Sequence, residues 1–133
     1  MKKKLVELRL TEDKTIDLLV ESLQSEGYSL VTVCKGHQRG TDIVMCRNKK
    51  NLHIEVKGAR GNPKSHVSTR SHFDSGQIKT HFGKAIVKAL ELQSSNPGDL
   101  VAIAHPDDPF IKNVIGDLVP RLAELDIGHY WVS

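Results

Sequence analysis

The chain has 133 residues, 38% of them hydrophobic and 26% charged, the composition of an ordinary soluble globular protein folding as one domain over residues 1–133. No apolar run reaches the length of a membrane span, and Met1-Lys2-Lys3-Lys4 leads to Glu7 and Arg9, not to the apolar segment of a signal peptide, so a cytoplasmic protein with no membrane partner is expected. Two cysteines, Cys34 and Cys46, make no disulfide framework and are expected to stay reduced in buried strands.

Residues 11–26 have the period of a helix, with Thr11 as its cap and Glu12 and Asp13 suiting the first turn. Ile16, Leu19, Val20 and Leu23 share its apolar face and Gly27 ends it. Residues 28–34 read as a strand, 36–40 as a polar loop and 41–46 as a second strand. Residues 47–51 read as a hairpin turn into a third strand, 52–57, paired antiparallel with the second. Residues 58–75 form a polar stretch with no clear period, within which 67–73 allow a short extra strand; a loop of this length in a compact domain is usually functional or mobile.

From Ser75 to about Ser94 the period is helical again, with Ile78, Phe82, Ala85, Ile86, Ala89 and Leu90 on one face. Residues 100–104 are wholly apolar, as in a strand buried on both sides. Asp108-Pro109 starts a further helix, and Phe110, Ile111, Val114, Ile115, Leu118 and Leu122 supply its face, with a kink expected at Pro120. Residues 127–132 make a last strand. The order αβββαβαβ predicts an α/β fold, a mixed sheet flanked by helices.

The formal net charge of +3 conceals an asymmetry. From Lys35 to Lys88 there are twelve Lys or Arg against three acids, Asp42, Glu55 and Asp74, together with five of the seven histidines. Glu12 to Glu26 carries five acids against one lysine. A basic region around a small acidic island suits a phosphate backbone and a metal.

Alternation along residues 52–57 turns Glu55 and Lys57 one way and Leu52, Ile54 and Val56 the other. A charged pair on one face of an otherwise apolar strand is costly unless something compensates it. A divalent metal held by Asp42 and Glu55, with Lys57 beside it, would do so, and this constellation points to a phosphodiester-cutting site. The other chemistries fall away. The histidines lack metal-ligand spacing and no CxxC is present, which argues against zinc. Gly58-Ala59-Arg60-Gly61 lacks the Gly-Lys-Ser/Thr of a P-loop, His105-Pro106-Asp107-Asp108 reads as a turn and helix cap, and no nucleophilic serine elbow is visible. Few aromatics argue against single-strand recognition by base stacking.

On Gly40-Thr41-Asp42-Ile43-Val44 and Ile54-Glu55-Val56-Lys57-Gly58 the chain resembles the PD-(D/E)XK nuclease superfamily of restriction-endonuclease-like, Mrr-like and Holliday-junction-resolvase-like enzymes. The αβββαβ order fits over about residues 10–104, and Thr41 stands where the family name has Pro. The resemblance implies that Asp42 and Glu55, with the Val56 carbonyl, hold Mg²⁺ (Mn²⁺ substituting), and that Lys57 orients or helps deprotonate the attacking water and offsets transition-state charge. It also implies an acid from the first helix. Counting back from Gly27-Tyr28, Asp17 falls at that place although relatives more often have Glu, and Asp13 and Glu21 are rivals. Gln77 and His81 resemble a Gln-x-x-x-Tyr element with His for Tyr, and with Lys84 and Lys88 they form a polar stripe suited to a phosphate backbone. Asp74-Ser75-Gly76-Gln77 equally suits a capping box.

The expected function is a Mg²⁺-dependent endonuclease acting on DNA. Arg39, Arg60 and Arg70 in the loops and Gln77, His81 and Lys84 on the helix would grip the backbone, and cutting both strands would favour a homodimer. The alternatives are an inactive nucleic-acid-binding module of the same fold and a structural or protein-interaction domain.

Overall fold

The computed structural model describes residues 9–36, 38–61 and 72–133. Its elements are α1 (Glu12–Ser25), β1 (Ser29–Val33), β2 (Ile43–Arg47), β3 (Lys50–Val56), α2 (Ser75–Ser95), β4 (Leu100–Pro106), α3 (Pro109–Ile115), a 3₁₀ helix (Val119–Leu125) and β5 (Ile127–Val132). The five strands form one sheet in sequence order. β1, β2 and β3 pair antiparallel, whereas β3, β4 and β5 pair parallel through helical crossovers. This is the expected α/β class, a mixed sheet flanked by helices. The short strand expected around 67–73 falls largely on residues 62–71, outside the described residues.

Asn48 and Lys49 both adopt positive φ, 55° and 63°, so β2 and β3 join through two left-handed residues. Such a turn matches the twist of its strands, and the strands run right up to it, leaving a shorter turn than the 47–51 segment expected. Pro120 ends more than it bends: α3 stops at Ile115, and the chain restarts as the 3₁₀ helix with Pro120 in its first turn. A proline has no N–H for a continuing α-helical ladder, but a new helix start needs none there.

Two cores lie on opposite faces of the sheet. Ile16, Leu19 and Leu23 of α1 pack on Ile43, Met45, Leu52, Ile54 and Val56. Ile78, Phe82, Ala85 and Ala89 of α2 pack with Ile111 and Ile115 of α3 on Val101, Ile103 and Ile127. β4 is buried on both sides from Val101 onward, as a central parallel strand requires. Among the described residues β1 is the sheet's edge. Its register slips between Leu30 and Thr32, a bulge, and Leu30 and Val31 are exposed.

The start of α1 is tied to the chain leaving β3. The Ala59 N–H donates to the Leu10 carbonyl at 2.7 Å, and Thr11 bridges Arg60 in parallel. A Cβ at Gly58 would lie 2.4 Å from the Glu12 backbone nitrogen, so only glycine admits this approach. Gly58→Ala should therefore push α1 off the strand end and cost roughly 1–3 kcal/mol, as overpacking does, measurable by urea unfolding.

Candidate active site

Ile43 lies opposite Ile54, so one step along each antiparallel strand sets Asp42 against Glu55, on the sheet face that α2 packs against. The Val56 N–H donates to Asp42 Oδ2 at 2.8 Å, which fixes that carboxylate across the end of β3. Two residues on, Lys57 sets its Nζ 3.6 Å from Glu55 Oε2; the two side chains are only 19% and 13% exposed. The three residues expected from the sequence are thus brought together. Val56 buries its side chain in the core beneath them.

Glu12 completes the cluster. Its carboxyl is pushed up to about 7, first by burial and then by the charge of Asp42, with Glu55 adding and Lys57 opposing. Glu55 is likewise pushed up to about 7, by burial and then Asp42, against Lys57 and Lys88. Burial raises Asp42 too, opposed by the Val56 N–H and by the same two lysines. Three carboxyl groups crowded at one strand end repel one another, and desolvation makes each negative charge dearer.

The structure sets Glu12, and not Asp17, beside Asp42, Glu55 and Lys57. Asp17 is five residues on, about 140° round a helix of 3.6 residues per turn. It pairs with Lys35 across the β1–β2 loop with its side chain 52% exposed. Asp13 accepts from the Gly36 N–H, and Glu21 is exposed, so neither rival reaches the strand end. A signal for Glu12 was present: it stands four residues before Ile16, on the same helical face as the buried Ile16, Leu19 and Leu23.

His81 borders the same cleft as Glu12, Lys57, Arg60 and Phe73, with its ring edge-on to Phe73 at 4.6 Å. Burial, then Lys57 and Lys84, lowers its pKa, which keeps the ring neutral at neutral pH. Arg60 lines that cleft and is anchored by its Nε donating to the Arg9 carbonyl at 2.8 Å. Lys84 lies exposed along α2 and Arg39 exposed in the β1–β2 loop; Arg70 lies outside the described residues. Gln77 closes a capping box with Asp74, accepting from the Asp74 N–H at 2.9 Å while its own N–H donates to Asp74 Oδ1 at 2.8 Å. That is the structural alternative weighed for it.

His105 is a neighbour that sequence reasoning did not place near the site. It is 1% exposed in β4 and hydrogen-bonded through Nδ1 to His129 Nε2 at 2.9 Å. Burial holds its pKa down to about 3 and that of His129 to about 4, so the pair is neutral. Asp107 and Asp108 behave as read: Asp107 pairs with Lys112 at 2.7 Å, and Asp108 caps α3 through the Phe110 N–H at 2.8 Å.

The cluster's donors are hard oxygens, the kind Mg²⁺ takes. Among the described residues no three His, Cys, Asp or Glu side chains converge tightly enough to cage a metal ion. Mg²⁺ needs no such cage, since one or two carboxylates with waters and substrate phosphate suffice. The opposed Asp42 and Glu55 carboxyl groups fit that requirement.

No family model matches the chain, and no curated protein matches it. A similar solved structure is the crystal structure of an XisH family protein from Nostoc punctiforme, with a TM-score of 0.53 and 16% identity over 89% of this chain and 91% of that one. At that identity the likeness is one of fold. Among the described residues no helix is long and apolar enough to cross a membrane.

Gln77→Ala should lower stability by roughly 0.5–2 kcal/mol, the range for lost caps, and thermal melting checks it. Glu12→Gln should act with the opposite sign and depend on pH. The folded protein holds the Glu12 proton to about 7 and the unfolded chain only to 4.5, so native stability falls as pH rises between them. The metal-free variant should match wild type near pH 4.5 and gain about 1–2 kcal/mol by pH 8, after allowing for solvent screening. His105 and His129, which lose stability below their unfolded pKa, act equally in both proteins and cancel. Urea unfolding at three pH values in chelator measures the difference; a gap independent of pH would contradict it.

Proposed function

We propose that the chain is a divalent-metal-dependent nuclease that hydrolyses DNA phosphodiester bonds through Asp42, Glu55 and Lys57. The observation that carries this reading is the opposed Asp42–Glu55 pair with Lys57 on the same face and Glu12 beside it. Three half-buried carboxyl groups against Lys57 and Lys88 leave an excess of acid that a structural salt bridge would not, and a divalent cation is the natural complement. The α/β fold with its mixed sheet flanked by helices is compatible with a restriction-endonuclease-like enzyme.

In this reading Asp42, Glu55 and the Val56 carbonyl hold Mg²⁺ or Mn²⁺. The bound ion supplies charge stabilisation at phosphorus and a more acidic water. Asp42 keeps its carboxylate aimed by accepting the Val56 N–H. Lys57 orients the attacking water and presents a positive charge to the phosphate oxygens as their charge grows. Glu12 accepts a hydrogen bond from water on the α1 side of the cleft. Arg39, Arg60 and Lys84 hold the backbone, and a single site per chain makes a homodimer the form that cuts both strands.

Asp42→Asn should abolish cleavage of labelled DNA while metal-free affinity stays the same or rises, because a negative charge near phosphate is gone. Lys57→Ala should lower the rate by about 10²–10³ yet keep most Mg²⁺ binding in calorimetry. Wild-type-like cleavage by either variant would rule out this centre. Binding without cleavage by the wild type would instead make the chain an inactive binder.

A further inference from the structure

The cleft beside the carboxyl cluster has the wrong chemistry for a phosphate alone. It encloses about 190 Å³ and is lined by Glu12, Lys57, Gly58, Arg60, Phe73 and His81. Phe73 and His81 meet edge to face, their ring centroids 4.6 Å apart and their planes at 84°, so they form an aromatic corner. The Phe73 N–H donates to the Ala59 carbonyl at 2.9 Å, which fixes that corner to the chain leaving β3. The polar groups around it are uncommitted. Arg60 uses only its Nε, on the Arg9 carbonyl at 2.8 Å. Among the described residues its two terminal nitrogens, the His81 ring nitrogens and the Glu12 carboxyl have no hydrogen bond or ion pair. A phosphate asks for donors only, and here it would lie against the Glu12 carboxyl. A nucleobase asks for donors and acceptors at its edge and an apolar wall for its face. Arg60 donates, Glu12 accepts, His81 does either, and the Phe73 ring is the wall. The chain has too few aromatics for a row of stacked bases, yet one corner takes one base.

We propose that this cleft receives one unpaired nucleobase of the substrate strand, so that the protein favours DNA with an unpaired nucleotide beside the phosphate that is cut. The base lies against Phe73 with its edge on Arg60, Glu12 and His81, and it displaces the water that Glu12 otherwise holds. Lys57 joins the two places: it lines the cleft and sets its Nζ 3.6 Å from Glu55 Oε2. The nucleotide in the cleft therefore adjoins the scissile phosphate. The proposal rests on the nuclease reading for the place of the cut, and it gives Arg60 a base to hold where that reading gave it backbone. A paired base must leave its stack to enter, and that penalty is least for a nucleotide already unpaired.

The test compares, in chelator, the affinity of the full chain for a labelled duplex with one bulged nucleotide and for the same duplex with an abasic bulge. Both share the bend and flexibility of a bulge, so the ratio of their affinities reports the base. Wild type should bind the bulged nucleotide about tenfold more tightly, the effect of one base stacked on an aromatic ring. Phe73→Leu keeps an apolar side chain without a π face and should bring the ratio close to one, whereas Phe73→Tyr should keep it. Tyr28→Leu removes a ring on the α1 side, under Arg47, and should also keep it. Because the ratio is taken within one preparation, partial unfolding of a variant does not move it. Equal affinity of the wild type for the two duplexes, or a ratio that survives Phe73→Leu, overturns the proposal. Free nucleosides that bind with the same Phe73 dependence while the bulged nucleotide gains nothing overturn it too, in favour of a small ligand. In Mg²⁺ the cut should fall at the phosphate beside the bulge. A wild type that cuts without distinguishing the duplexes leaves the nuclease reading standing and removes the base pocket. A wild type that never cuts but shows the Phe73-dependent ratio removes the nuclease reading and leaves the pocket.

Discussion

Acidic crowding at the end of β3 is the constraint around which the molecule is arranged. Glu12, Asp42 and Glu55 arrive from three different elements, and each is held where its charge is costly. Lys57 offsets part of that charge from 3.6 Å, and the backbone supplies the rest of the hold. The Leu10 carbonyl on the Ala59 N–H, the Thr11–Arg60 bridge and the bare Cα of Gly58 clamp the start of α1 over the strand end. Repulsion among the acids is therefore stored in the fold, to be released when a cation or a proton arrives, in the way functional sites commonly hold local strain.

The sheet makes that clamp stiff. Antiparallel pairing fixes Asp42 against Glu55, and parallel pairing joins Lys57 to β4, whose Ala104 carbonyl accepts the Lys57 N–H at 3.0 Å. Behind it stand the neutral His105–His129 pair and Trp131, filling the α2 side of β4 and β5 with rings that carry no charge. A positive charge there would compete with Lys57 for the carboxylates. Deep burial prevents it by keeping both imidazoles neutral.

Much of this was legible in the chain and some was not, for identifiable reasons. Period-2 alternation in β3 separated Glu55 and Lys57 from Leu52, Ile54 and Val56, and the two cores divide along that line. The helical stripe of α2 and the caps at Asp74 and Asp108 followed from local chemistry, which is why they could be read locally. Which acid of α1 lies by the strand end could not be read by counting back from the helix end, because that position is set at the other end, where α1 docks on Gly58. Extending the apolar stripe of Ile16, Leu19 and Leu23 backward by one turn leads to Glu12. His105 was hidden for a different reason: only the parallel register of β3 with β4 brings it beside Lys57, and register across a crossover is a long-range property. Pro120 was read as a kink, whereas the helix it interrupts is restarted as 3₁₀, a choice made by packing after Ile115.

The bulge in β1 has a bearing on how the protein coexists with copies of itself. A strand that is the sheet's edge among the described residues and carries Leu30 and Val31 at its surface is a natural template for strand addition and, at high concentration, for aggregation. The slip between Leu30 and Thr32 breaks the ladder of unpaired backbone groups halfway along a five-residue strand. An incoming strand can match the donors and acceptors on one side of the slip or on the other, not both, and so finds too few consecutive partners to hold. The irregularity thus works as a guard, allowing the sheet to end in apolar residues without inviting its own continuation.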